Sequence, residues 1–201
     1  MKRGQIILIV LVLMAVIAIA IGASMLHNGL SARATPTALE AFFAQHAHRL
    51  SIPSDARSMH NPMQPSEENL KSARDHFADH CSSCHANDGS GDTMYGKGLY
   101  PKPPDLRQVE TQNLSDGELF WIIENGVRFT GMPAFGGGHG SQDDSWKLVL
   151  FIRHLPQLRD DERIGMEKMN PKGPDDREEE QDEQDFLGGA PVQQKAPAKH
   201  H

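Results

Sequence analysis

Cysteine is almost absent from this chain, which has only two, at positions 81 and 84, among 201 residues. A zinc site would want a second pair of soft ligands, and no further cysteine exists to supply it. A disulfide between the two would close a very small loop and add little stability. Runs of alternating β-branched residues are missing too, and with them the β-α-β context in which Cys-x-x-Cys marks a thioredoxin-like redox pair. An excess of basic charge is likewise lacking. The formal net charge is −7, and residues 160–185 alone hold 12 acidic and 4 basic residues, so the remainder carries about +1. The acidity belongs to one segment, and the composition gives no support for a nucleic-acid partner. Internal repeats are absent.

Charge is also missing from Gly4 to Leu26, a stretch dominated by Ile, Leu, Val, Ala and Met. A helix there is long enough to cross a bilayer. Lys2 and Arg3 precede it and no Lys or Arg follows until Arg33, which predicts a cytoplasmic N-terminus with the rest of the chain outside. The alternative is a cleaved signal peptide, with Ala32-Arg33-Ala34 as the small-x-small site. The apolar run exceeds the usual signal-peptide core and the site lies far beyond it, which favours an uncleaved anchor over residues 1–26.

Residues 27–65 read as a juxtamembrane helix and a linker. Thr37-Ala38-Leu39-Glu40 has capping-box form, and Leu39, Phe42, Phe43, His46 and Leu50 recur at helical spacing. Ser54 to Pro65 reads as the linker. A folded domain is expected over 66–159. Ser66 is its first N-cap, followed by Leu70, Ala73 and Phe77 on one helix face. Ser115-Asp116-Gly117-Glu118 opens a second helix that buries Leu119, Ile122 and Ile123 and stops near Gly126. Asp143 to Ser145 opens a last one with Trp146, Val149, Leu150 and Ile152, closed by Pro156. Residues 160–201 are polar, charged and Pro-containing, and are expected to be a disordered tail.

The two cysteines fall in Cys81-Ser82-Ser83-Cys84-His85. Two thiols separated by two residues and followed by histidine form the attachment signature of c-type haem. On one short turn each thiol can add to a vinyl group of the porphyrin, which holds His85 under the iron as an axial ligand. An extracytoplasmic position suits this chemistry, because thioether formation consumes thiols that would otherwise risk oxidation. The sixth iron position falls to Met132, in Thr130-Gly131-Met132-Pro133. Alone, a methionine between glycine and proline reads as packing; downstream of a haem motif it reads as a soft, neutral ligand. His139, in the glycine-rich 135–140 stretch, and Met94 are weaker candidates for the same position.

The chain resembles the class I monohaem cytochromes c, in particular bacterial membrane-attached ones and the small cytochrome c subunits of respiratory complexes. The resemblance spans about Ser66 to Arg159. It rests on Cys81-Ser82-Ser83-Cys84-His85, Pro103-Pro104-Asp105-Leu106 and Gly131-Met132-Pro133, in the family's order and spacing. It implies an all-α fold, three to five helices around one covalent haem c, with the first and last helices crossed so that Phe77 nears the Trp146–Leu150 face. The transmembrane helix and the disordered tail flank that domain. It also implies that the Pro104 carbonyl accepts the other N–H of His85.

The expected function is electron transfer, by a carrier or by a subunit of a respiratory complex, with no catalytic residue and no small-molecule substrate. Donor and acceptor would be a membrane redox complex or another redox protein. The expected location is the bacterial cytoplasmic membrane, single-pass, with the haem domain periplasmic. A haem peroxidase or gas-binding sensor remains the alternative, and it requires Met132 to be absent from the iron or displaceable.

Overall fold

The computed structural model describes residues 3–29, 31–137, 141–171 and 187. Among them there are only helices and connecting turns, with no strand. The described residues begin with α1, Arg3–Asn28, whose segment Arg3–Ser24 contains an 18-residue stretch of mean hydropathy 3.3, none of it buried against the protein. Its 26 residues make a helix of about 39 Å, long and apolar enough for one membrane span.

Helix α2, Ala38–Ser51, starts where the capping residues predict, with the Thr37 hydroxyl accepting from the Glu40 N–H. None of its residues is buried. The next segment departs from its reading as a linker. Ser54–Arg57 forms a short helix, α3, and Ile52 and Ala56 are buried. The Asn61 amide donates to the Trp146 carbonyl at 2.9 Å. Charge and proline content hid this packing, because only two small apolar contacts and a few polar bonds secure it.

Helix α4, Glu67–His80, is capped by the Ser66 hydroxyl, which accepts from the Asn69 N–H. It runs into α5, Ser82–His85, and three further helices follow: α6, Met94–Lys97; α7, Val109–Gln112; and α8, Asp116–Asn125. At α8 the expected capping box is complete. The Glu118 N–H reaches the Ser115 hydroxyl at 3.1 Å, and the Ser115 N–H reaches the Glu118 carboxylate at 2.7 Å. Helix α9, Gln142–His154, carries Trp146, Leu148, Val149, Phe151 and Ile152 into the core.

The core forms where α4 and α8 pack on α9. Phe77 meets Phe151 with ring centroids 5.2 Å apart, and Phe120 stacks on Trp146 at 4.0 Å. The crossing of first and last domain helices thus follows the expected scheme. Leu148 and Phe151 join the face expected from Trp146, while Leu150 is only half-buried. Gly117 allows α3 to approach α8: a Cβ there would stand 1.8 Å from the Ala56 carbonyl oxygen. Gly117→Ala should therefore lower stability by about 1–3 kcal/mol, the usual cost of forcing atoms into filled space, and thermal denaturation measures it.

The expectation of a disordered tail beginning at residue 160 is also corrected. Asp160–Glu167 is a helix, α10, and its Met166 is fully buried in the same core as Phe77 and Phe151. Around it Glu162 pairs with His154 at 3.1 Å and Arg163 with Glu167 at 3.2 Å. Met166 and the exposed Ile164, two residues apart among charges, leave no helical period to read. Residues 172–186 and 188–201, most of the expected tail, lie outside the described residues.

Candidate haem-attachment site

The Cys81–His85 turn is made by a helix that stops and restarts. Cys81 closes α4, its N–H donating to the Phe77 carbonyl at 2.9 Å, and it also precedes α5. The Cys81 carbonyl then accepts from the N–H groups of Cys84 and His85, at 3.2 and 2.9 Å. Both cysteines therefore sit on one short turn, docked on the core by Phe77. Neither is in a disulfide. Burial, with Cys84 beside it, pushes the Cys81 thiol up to about 12.

The chain leaves the turn through Ala86 at φ 60°, and the Gly91 N–H returns to the His85 carbonyl at 2.8 Å. Thr93 pins the following loop by donating to the Ser83 carbonyl at 2.7 Å. Gly96 lets α6 lie against the turn, because a Cβ there would stand 2.6 Å from the Cys84 carbonyl oxygen. Sequence reasoning passed over both residues; their contacts span some ten residues and leave no periodic trace.

The Pro103–Leu106 segment is held to the same loop by Arg107. Its guanidinium grips both Asp105 carboxylate oxygens at 2.8 Å and reaches Asp88 at 2.8 Å, while the Leu106 N–H donates to the Gly89 carbonyl at 2.8 Å. This places the Pro104 carbonyl against the His85 imidazole. Burial pushes the His85 pKa down, and the Pro104 carbonyl pulls it partly back. The His85 Nδ1 is nonetheless buried without a hydrogen bond of normal geometry.

The Arg107 hydrogen bonds hold the Asp105 carboxyl well below the usual carboxylate range, with burial opposing them. A depressed native pKa means that the pairing contributes fully above the unfolded value, about 3.9. The contribution is lost as pH falls through the native one. Asp105→Asn should accordingly weaken the protein near neutrality, and its deficit against the parent should shrink below about pH 4. Urea denaturation at a series of pH values checks the trend.

The Met132 loop hangs from the end of α8. The Phe135 and Gly136 N–H groups donate to the Ile123 and Glu124 carbonyls, at 3.1 and 3.0 Å. Within the loop the Val127 N–H donates to the Met132 carbonyl at 3.1 Å, and the Met132 N–H to the Thr130 hydroxyl at 3.1 Å. Met132 is half-buried. A Cβ on Gly131 would meet Leu99 at 2.5 Å, so the loop after the cysteine motif and the methionine loop touch. Met94 is highly exposed, and His139 lies outside the described residues.

These residues fit a covalently held haem. Two unpaired thiols share one turn, an imidazole whose pKa burial lowers follows them beside the Pro104 carbonyl, and its buried Nδ1 has no hydrogen-bond partner. The fit rests on the chemistry of the donors and on that orphaned nitrogen.

The family model for cytochrome c oxidase, cbb3-type, subunit III, matches residues 68–152, under half of the chain. No curated protein matches it. Among solved structures, a chain of the reducing HAO-like protein complex of Kuenenia stuttgartiensis is similar at 22% identity and a TM-score of 0.43, covering 47% of this chain and 46% of that one. The matched segment contains the cysteine turn, the Pro103–Leu106 segment and the methionine loop, built on α4, α8 and α9. Residues 68–152 form a c-type cytochrome domain with the class I all-α fold.

Proposed function

We propose that the chain is a membrane-anchored monohaem cytochrome c that passes single electrons between redox proteins at the outer face of a bacterial cytoplasmic membrane. The observation that supports this most is the Cys81–His85 turn, with both thiols free and His85 beside the Pro104 carbonyl. Bound haem supplies a one-electron Fe(II)/Fe(III) couple. In this reading Cys81 and Cys84 would hold the porphyrin by thioether bonds, and His85 and Met132 would supply ligands to its iron. Pro104 accepts the remaining His85 N–H, which fixes the ring and strengthens it as a donor. The Met132 thioether favours the reduced state, and the apolar shell around Phe77 and Leu106 disfavours added charge; both raise the reduction potential.

Helix α1 would keep this exchange at the membrane surface, where effective partner concentration is high. Residues 65–159 carry 13 acidic and 9 basic side chains. A steered encounter then calls for a basic patch on the partner and slows as salt is added. The partner is a membrane redox complex, in which the chain is a fixed subunit, or a separate redox protein.

Optical and redox titration of the full chain in detergent tests the proposal. One single-electron transition per polypeptide, a low-spin spectrum and no binding of carbon monoxide are expected. A high-spin spectrum with rapid carbon monoxide binding would instead establish the sensor or peroxidase reading.

A further inference from the structure

His76 and His80 take no part in the site described above. They stand one turn apart on α4, with ring centroids 4.8 Å apart and planes inclined at 51°. Residues four apart share a helix face, and two imidazoles so placed can grip one ion. His80 Nδ1 lies 3.2 Å from the Asp79 carboxylate. A carboxylate there favours the proton on Nδ1 and leaves Nε2 free to donate, the arrangement that orients imidazoles bound to metals. His80 is also the last residue of α4, at the end of the helix dipole that favours positive charge.

Among the described residues, no group of three or more His, Cys, Asp or Glu is placed to hold a metal ion, so water would complete the coordination. Nitrogen donors suit copper, nickel and zinc, whereas calcium and magnesium want oxygen. We propose that His76 and His80 chelate a divalent transition-metal ion at the C-terminal end of α4, Cu(II) more tightly than Zn(II). The ion would put positive charge one residue from Cys81, on a mildly acidic domain, and so alter what approaches that face.

Calorimetric titration of the intact holoprotein with Cu(II) and with Zn(II), near neutral pH, tests this. His80→Gln and His76→Gln should each lose one equivalent of metal or bind it at least about tenfold more weakly. Asp79→Asn should weaken binding by about tenfold, as loss of an orienting carboxylate does, and the parent should prefer Cu(II) to Zn(II). His200 and His201 stay in every variant, so differences report on α4. No binding by the parent, or unchanged stoichiometry and affinity in both histidine variants, would overturn the proposal. The haem spectrum is recorded throughout: if it is unaltered, the fold is intact, and the outcome is independent of the electron-transfer reading.

Discussion

Met132→Ala should abolish the methionine–iron charge-transfer band at the red end of the oxidised spectrum and lower the reduction potential by more than about 0.1 V, within the ~0.8 V range over which axial ligands act. The loop explains why the effect should be local. Its bonds to α8 run through the Ile123 and Glu124 carbonyls, and the Thr130 hydroxyl bonds the backbone N–H of Met132. Removing the side chain leaves these bonds in place. The sixth position should then open, and carbon monoxide should bind the reduced variant but not the parent. Retention of the band and of the potential would transfer the ligand role to another residue, His139 being the first to substitute next.

A chain ending at Arg159, where composition alone would end the domain, should be markedly less stable than one ending at Pro171. Met166 is fully buried between α10 and the core, and truncating a buried methionine to alanine costs about 2–5 kcal/mol. Met166→Ala should show that loss in urea denaturation, and deletion of residues 160–171 should show at least as much. The deletion also removes the Glu162 pairing to His154 and the Asn170 side chain, whose amide donates to the Ser82 hydroxyl at 3.2 Å, inside the attachment turn. Loosening near Cys81 should therefore accompany the loss. Equal stability of the two chains would mean that α10 is dispensable.

The contrast between α8 and α10 shows what the sequence made legible. Ser115 and Glu118 announce a helix by themselves, because the capping box is a local pattern of four residues. The apolar face after it follows the helical period closely enough to predict Leu119 and Ile123, although Ile122, expected with them, is only half-buried. Helix α10 has neither signal: Arg159 precedes it where a Ser or Thr cap would be read, and one methionine does the packing. The same holds for Ile52 and Ala56, two buried residues in a proline-flanked stretch that reads as a linker.

At the candidate site, the residues proposed to carry the chemistry stand in short motifs that the sequence displays directly. The residues that hold them do not. Arg107 acts on Asp105 and Asp88 from a loop, and Gly96 and Thr93 act on the backbone of the cysteine turn across ten or more residues. Such contacts depend on the fold of the loop, which no periodicity encodes. Gly96 is the clearest case, since its identity matters only because the Cys84 carbonyl stands where a Cβ would be.

Extraction of the purified protein with acidified acetone, followed by intact-mass measurement, bears most directly on the attachment of haem to Cys81 and Cys84. The colour should stay with the polypeptide, whose mass should exceed that of the chain by one haem, and the Cys81→Ala, Cys84→Ala double variant should lose both. Colour that passes into the solvent from the unaltered protein, leaving a bare chain, would contradict covalent attachment.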